Sequence, residues 1–556
     1  AAIIRRERTL APRHAPVQTR PAARHADIMI AQRLALFRFP PVGLASAAAI
    51  AGCAQEAETR AVHFATSCKP EAQAAFDRAL TLLHSFEYLE ASNGFAAAMT
   101  EDPDCAIARW GAAMTLWRPL WAPPSRADLA EGARLLDEAS GLSMSAREAA
   151  YIDALSAFFS SDDPATHRDR ARAYADRMSG IQRQNLDDPE AAIFYALSLL
   201  ATADPQDKSY SNQYKAAAIL NWAGETNPGH PGVLHYTIHA FDYPGLAHLA
   251  LKAAYAYADA APDSAHAQHM PSHIFTRLGM CEQSVASNAD SINSAAQYAE
   301  RAQLDGHYEE GLHSMDYLMY ALLQTARYDE AAALLTKLNG IEKTNDDNFK
   351  VAFAYASSPG RYALERRQWK EASELALRPE TFPWAEFPWA QSINRFARGI
   401  GAARNGDLDA AKQELAALEA LQQALAPTTL PYWREQVQVQ IDAVRAWILY
   451  GESDIEAALL AAAAAADRED ATDKHPVTPG EVLPARELYA DLLLAAGRPD
   501  EALAQYAKVL NTAPNRLNAL LGGAEAAKAA GEPMAAETYL AQARSQTRSG
   551  NQDAIN

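Results

Sequence analysis

Residues 492–515 read LLLAAGRPDEALAQYAKVLNTAPN, and residues 526–543 repeat the pattern as AAKAAGEPMAAETYLAQA. Gly497 and Gly531 take the same place in the two copies and lie 34 residues apart. A fixed period of this length is typical of helix-pair arrays, in which each pair buries its apolar face against its neighbours. The two copies therefore predict an all-α solenoid at this end of the chain.

The composition favours helices along the whole chain. Of its 556 residues 49% are hydrophobic but only 8% are aromatic, and alanine, which loses no side-chain entropy in a helix, is abundant. Weaker copies of the pattern extend the array over most of residues 70–548; they lie at 84–114, 277–288, 325–338 and 404–418. Proline-rich segments are expected to interrupt the repeats as loops; they lie at 117–125, 377–390 and 473–484.

The repeated pieces resemble the tetratricopeptide repeat (TPR) family. Ala495-Ala496-Gly497 resembles its turn, Asp500-Glu501-Ala502 the start of its second helix, and Ala513-Pro514-Asn515 its inter-repeat turn. The resemblance implies helix-turn-helix repeats whose first helices line a concave groove that binds a peptide, a protein or a small molecule.

Histidines concentrate where three such first helices are expected. Nine of the 15 histidines lie between His230 and His313. Counting back from turns at Gly245, Gly279 and Ala326 places nine polar residues at groove positions; they are His235, His239, Asp242, His266, His269, His273, His313, Asp316 and Tyr320. His235 and His269 lie 34 residues apart, as do His239 and His273, so each pair is separated by one repeat.

Helix geometry brings these histidines together without reference to the family. Residues four apart share a helix face, and packed helices lie about 8–10 Å apart, so rings from neighbouring helices can converge. Neutral imidazole is the commonest metal ligand. The expected ligands are His235, His239, His269, His273, His313 and Asp316, with Asp242, His266 and Tyr320 behind them or elsewhere in the groove. A donor set of nitrogen and oxygen suits zinc, iron, copper or nickel.

Pro271 falls in the middle of the second of these helices, where it removes a backbone hydrogen bond. The helix either kinks at this proline or begins near Met270, which would leave His266 and His269 on a turn. In both cases the site departs from a regular repeat.

Alternatives to a metal scaffold remain open at this level. The histidines could donate hydrogen bonds to a bound peptide or small acid, or form a structural network without a ligand. A metal with an open position would make the protein a metal-dependent enzyme for hydrolysis or oxygen chemistry. His84 is expected to be structural, and residues 470–487 are expected to form a lid or a simple connecting loop.

The N-terminal region predicts export. Residues 1–28 are interpreted as an upstream, disordered extension, and residues 29–53 as a signal peptide whose Ile50-Ala51-Gly52-Cys53 ending resembles a lipobox, with Cys53 as the lipidated residue. The expected location is the periplasm or the outer membrane, or otherwise outside the cell. The only expected membrane attachment is this lipid anchor.

The charge argues against nucleic acid as a partner. The net charge is −19, and because residues 1–53 carry +6, the remainder carries −25 and repels phosphate backbones. Two arrays are predicted, at 54–345 and 346–548, followed by a tail at 549–556. Cys68 and Cys105 are 37 residues apart, about one repeat, which makes them candidates for a disulfide, whereas Cys281 is expected to be a buried hydrophobe.

The motifs HYTIHAFD, HMPSHIF, HSFEYLEA and DPDCAIARWG together resemble a group of bacterial TPR proteins of the cell envelope. That resemblance implies a fold and a location, and it carries no activity.

Overall fold

The computed structural model describes residues 62–121, 123–425 and 431–547. Within these ranges the chain forms α-helices and three short 3-10 helices, and an isolated β-bridge pairs His307 with Thr344. The expected leader, the expected lipidation site Cys53 and the expected tail lie outside the described residues.

The helices of the N-terminal half are α1 (Pro70–His84), α2 (Tyr88–Glu101), α3 (Ala106–Thr115), α4 (Arg126–Ser140), α5 (Ala146–Phe158), α6 (His167–Gln184), α7 (Pro189–Ala201), α8 (Ser211–Thr226), α9 (Pro231–Phe241), α10 (Leu251–Ala260), α11 (Ala265–His269), α12 (Pro271–Arg277) and α13 (Cys281–Arg301). Those of the C-terminal half are α14 (Glu309–Gln324), α15 (Tyr328–Asn339), α16 (Phe349–Glu365), α17 (Trp369–Ser373), α18 (Pro388–Arg404), α19 (Leu408–Ala424), α20 (Pro431–Gly451), α21 (Ile455–Asp470), α22 (Ala485–Ala495), α23 (Pro499–Thr512), α24 (Leu517–Ala529) and α25 (Pro533–Gln546).

A recurring left-handed turn joins the two helices of a repeat. In each case one residue has positive φ, and the next N–H donates to the carbonyl five residues earlier, as in the Schellman motif. The turn residues are Phe86, Gly279, Ala326, Arg367, Gly406, Ser453, Gly497 and Gly531. The predicted all-α solenoid of TPR-like helix-turn-helix repeats is therefore confirmed, although Gly245, which the groove count used as a third turn, has no left-handed backbone.

The hydrophobic core runs along the array. One cluster of buried residues extends from Cys281 to Ala526 and so spans residue 345, where the sequence patterns placed a boundary between two arrays. A second cluster extends from Val62 to Tyr236. The solenoid also curls back on itself, because α24 contacts α14, and the Leu517 N–H donates to Gln324 Oε1 at 2.8 Å.

Pro271 kinks its helix. α11 ends at His269 and α12 begins at Pro271, while Met270 between them keeps right-handed helical dihedrals (φ −55°, ψ −34°). The first of the two expected alternatives is therefore observed, and His266 and His269 are helical.

Residues 473–484 form no helix and lie against α14 and α16; we call them the strap. Tyr317 on α14 donates to the carbonyls of Pro476 (3.0 Å) and Thr478 (2.9 Å). Arg361 on α16 donates to the carbonyls of Gly480 and Glu481, both at 2.6 Å. Buried side chains therefore hold the backbone of the strap against the helices.

The state of the cysteines and the search for membrane-spanning helices complete the description of the fold. Cys68 and Cys105 are joined by a disulfide with a Cα to Cα distance of 4.9 Å, and Cys281 is a buried free thiol. Among the described residues, no helix has the length and apolar character needed to cross a membrane.

Candidate metal centre

Six histidines from four helices meet beneath the strap. His235 and His239 come from α9, His266 and His269 from α11, His273 from α12 and His313 from α14. Each is at most 8% exposed. The 3.6-residue helical period puts His235 and His239 on one face, and the kink at Pro271 leaves His269 and His273 facing each other across it.

The six rings form two groups of three. In the first triad, His235 Nε2 lies 3.0 Å from His239 Nε2 and 3.1 Å from His266 Nε2. In the second triad, His269 Nε2 lies 3.0 Å from His273 Nε2, and the rings of His269 and His313 have centroids 4.3 Å apart. Within each triad one nitrogen from every ring lies within 4.8 Å of the other two, a spacing at which one metal ion can bind all three.

Hydrogen bonds on the far side of the rings orient the first triad. His235 Nδ1 donates to the carbonyl of His84 at 2.7 Å. His266 Nδ1 lies 3.4 Å from a carboxylate oxygen of Glu310, and that carboxylate is also bonded to Lys350. Contacts of this kind hold a ring in the tautomer and orientation that a metal requires.

The second triad is oriented in the same way. His269 Nδ1 donates to Asn288 Oδ1 at 2.7 Å, and His273 Nδ1 donates to Asp242 Oδ2 at 2.9 Å. Neither ring nitrogen of His313 has a hydrogen-bond partner among the described residues.

Burial keeps four of these rings neutral, those of His235, His239, His269 and His273. Desolvation, reinforced by neighbouring histidines, holds the pKa of His235, His239 and His269 well below the usual value. Desolvation also lowers the pKa of His273 to about 4, although Asp242 opposes the shift. Neutral imidazole is the form that binds metals, so these four rings can bind a metal near neutral pH without first losing a proton.

Aromatic side chains close the chamber. Phe86, on a left-handed turn, lies over His235 with ring centroids 4.4 Å apart. The centroid of the Trp121 ring lies 6.0 Å from that of His266, 6.1 Å from that of His313 and 6.5 Å from that of His475 in the strap. The site is thus a small enclosed chamber rather than an open groove.

The structure gathers most of the residues that the sequence nominated. All five expected histidine ligands line the chamber, and His266, which was expected behind the ligands, belongs to the first triad itself. Asp242 accepts a hydrogen bond from His273 on the side of the ring away from the chamber, in keeping with its expected place behind the ligands.

Asp316 and Tyr320 lie against Arg361 instead. Asp316 Oδ1 accepts hydrogen bonds from Ser357 (2.6 Å) and from Arg361 (3.1 Å), and Asp316 belongs to neither triad. The Arg361 guanidinium also lies over the Tyr320 ring, 5.7 Å from its centroid. Counting positions along the repeat assigned both residues to the groove, but it gave no sign of their contacts with Arg361.

His84 and His230 form a third group around Glu190, and this group is satisfied by hydrogen bonds. Glu190 accepts from His84 Nε2 (2.8 Å) and from His230 Nε2 (2.7 Å), while His230 Nδ1 accepts from the Gly232 N–H (3.1 Å). The two imidazoles hold the pKa of Glu190 well below its usual range, against the effect of burial. The structural role expected of His84 stays a prediction, because His84, Glu190 and His230 also lie close enough together to hold a metal ion. The His84 carbonyl orients His235.

Several contributing residues were not predicted as part of the site. Asn288, Glu310 and Lys474 are common polar residues with no distinctive spacing, and only the folded chain brings them to the triads. Phe86 carried one signal, since it stands in the HSFEYLEA motif where other repeats have a turn glycine.

The comparisons with known proteins add little about this site. No protein-family model matches the chain, and no curated protein matches it. Among solved structures, the human IFIT1 dimer with m7Gppp-AAAA is 12% identical and covers 88% of this chain and 98% of its own, with a TM-score of 0.36. The yeast Tom70 structure is 12% identical and covers 86% of this chain and 92% of its own, with a TM-score of 0.30. At such identities and scores the assignment of the fold rests on the helices and turns themselves.

Proposed function

We propose that this protein is a TPR-like scaffold that binds a transition-metal ion in its six-histidine chamber. The proposal is supported chiefly by the contact between His269 Nε2 and His273 Nε2, which lie 3.0 Å apart. The hydrogen bonds made by the Nδ1 atoms of the two rings show which Nε2 atoms carry a proton and which carry a lone pair.

Both of these Nε2 atoms carry a lone pair. His273 donates its Nδ1 proton to the Asp242 carboxylate, and His269 donates its own to Asn288 Oδ1. The Asn288 amide is held in that orientation because its Nδ2 donates to the Ser284 carbonyl at 2.7 Å. Two lone pairs facing each other in a buried site repel unless a cation lies between them, and ligands of one tetrahedral ion are spaced by about 3.3 Å.

The first triad supports the same interpretation. His235 Nε2 must be an acceptor because its Nδ1 donates to the His84 carbonyl, yet two further ring nitrogens converge on it. One lone pair cannot satisfy two donors well, whereas one metal ion satisfies three lone pairs. Six imidazole donors suit zinc, copper, nickel or iron.

Metal analysis of the purified protein tests the proposal. The wild type should hold a transition metal after dialysis, and the double variant His239→Ala, His273→Ala should lose it. His248→Ala, which removes an exposed histidine, is the control and should keep it. Fewer than about 0.2 equivalents in a wild type reloaded with copper, zinc, nickel and iron would refute metal binding.

A metal-dependent enzyme is the second candidate. Each triad supplies three protein ligands, and a tetrahedral ion then keeps a fourth position for solvent or substrate. An enzyme of this kind accepts only small substrates, because Phe86, Trp121 and the strap enclose the chamber. A high-resolution structure of the metal-loaded protein decides the matter: an ordered solvent ligand supports catalysis, and a fourth protein ligand removes it.

We further propose that the protein works outside the cytoplasm, held by a lipid on Cys53 or secreted, with no nucleic acid as a partner. The basic, apolar and small-residue order of residues 29–53 supports this location, and the acidic remainder supports the absence of nucleic acid. Mass spectrometry of the mature N-terminus tests the location. A chain that still carries residues 29–53 uncut would refute it.

A further inference from the structure

The two histidine triads share one chamber. Across the triads, the ring centroids of His239 and His273 lie 6.2 Å apart. Within the second triad, the centroids of His273 and His313 lie 6.3 Å apart. The ring pair that faces across the two triads is therefore no farther apart than the widest pair within one triad.

Each triad is complete as a three-nitrogen site. His235, His239 and His266 have nitrogens within 4.8 Å of one another, and so do His269, His273 and His313. No histidine belongs to both groups, so the two sites do not compete for a ligand. Three protein ligands leave each ion with a further position that solvent or a small ligand takes.

The carboxylates bonded to the triad rings are already paired with cations. Asp242 accepts from Arg277 (2.9 Å) and Lys474 (3.0 Å) as well as from His273. Glu310 is bonded to the ammonium group of Lys350. Two divalent ions among six imidazole ligands would therefore bring positive charge that these carboxylates do not offset, and a buried uncompensated charge is costly. A small anion between the ions offsets part of that charge.

From these contacts we infer that the chamber is a two-ion centre, with one transition-metal ion in each triad and a small oxygen anion, hydroxide in the resting protein, bridging them. The inference rests on the proposed function and adds the number of ions and the class of ligand. Phe86 and Trp121 limit that ligand to a few atoms, because their rings lie directly against the histidines. Paired ions that share a bridging oxygen are a common arrangement for activating small molecules.

Copper titration of the metal-free protein tests the inference. The probe is Cu²⁺ alone, and two quantities are compared: copper bound per chain after dialysis, and the intensity of its electron paramagnetic resonance signal. The wild type should bind two ions, and most of the signal should be missing because bridged Cu²⁺ ions couple their spins.

Variants that each lack one histidine test the two ion sites separately. His266→Gln removes a ligand from the first triad and His313→Gln removes one from the second, so each variant should bind one ion tightly and recover the full signal for that ion. His248→Gln is the exposed control and should behave as the wild type does. Retention of one ion by both triad variants also shows that they are folded.

The outcomes separate the two claims. One ion per wild-type chain, or two ions with the full signal, would overturn the two-ion centre and leave metal binding intact. No bound copper in the wild type, together with no zinc, nickel or iron, would instead overturn the proposed function itself.

Discussion

Asp242 and Lys474 form a buried ion pair with a distance of 3.0 Å between Oδ2 and Nζ, across 232 residues of sequence. Lys474 belongs to the strap, and the same Asp242 oxygen accepts the Nδ1 proton of His273. The pair therefore couples the strap, which covers the chamber, to the orientation of His273, one of the proposed metal ligands.

Replacing Asp242 with asparagine should destabilise the protein and weaken metal binding together. The substitution leaves Lys474 and Arg277 buried without a negative partner, a change that costs about 3–5 kcal/mol in comparable buried pairs. Urea unfolding measures the stability, and a competition titration with a chelator measures the affinity. Asp305→Asn is the control, because its pair with Lys343 is exposed. Equal effects of the two substitutions would contradict the role given to Asp242.

Loosening the strap should speed metal exchange. Lys474→Gln removes its ion pair with Asp242, so the strap should open more often, and a chelator should extract the metal several times faster than from the wild type. Lys208→Gln is the matched control, since Lys208 bonds the adjacent Asp473 at an exposed position. If both variants release metal at the wild-type rate, the strap does not gate the chamber.

The disulfide should brace the N-terminal repeats. Cys68 and Cys105 close a loop of 37 residues, for which loop-closure entropy gives about 3–4 kcal/mol of stabilisation. The double variant Cys68→Ser, Cys105→Ser should unfold at lower urea concentration and no longer respond to reductant, whereas reductant should destabilise the wild type. A wild type that is indifferent to reductant would count against this bracing.

Acid should weaken the fold through His475. Burial lowers the pKa of this strap histidine to about 3, so between its ordinary pKa and that value the unfolded chain takes up a proton that the folded chain does not. Its neutral form therefore favours folding fully above about pH 6.5, and this contribution is lost as the pH falls, by about 2 kcal/mol near pH 5.

His475→Gln tests this acid sensitivity in metal-free protein. The variant should lose less stability than the wild type between about pH 7.5 and about pH 5, whereas the exposed control His248→Gln should lose as much as the wild type. An unchanged pH dependence in His475→Gln would show that the ring is not the source.

The sequence predicted the repeat fold and most of the site for one physical reason. Helical periodicity places His235 and His239 on one face, and the repeat brings them near His269 and His273. The grouping into triads was not predictable, because His266 Nε2 lies 3.1 Å from His235 Nε2 on another helix, and His266 does not join His269 and His273 in their triad.

Contacts between distant segments account for the rest. Three contacts join parts of the chain that are tens to hundreds of residues apart: Trp121 with His266, the strap with Tyr317, and Arg361 with Asp316. Such contacts leave no periodic signal in the sequence. Regular repeat spacing was also too simple a guide, since the left-handed turns before Gly497 are spaced more widely than 34 residues.

Anomalous X-ray diffraction from crystals of the metal-loaded protein, recorded at the absorption edge of the bound metal, tests the central claim most directly. The account predicts two peaks in the chamber, one about 2.0–2.2 Å from nitrogens of His235, His239 and His266, and the other equally close to those of His269, His273 and His313. Histidine rings in contact with each other and no anomalous peak between them would contradict it.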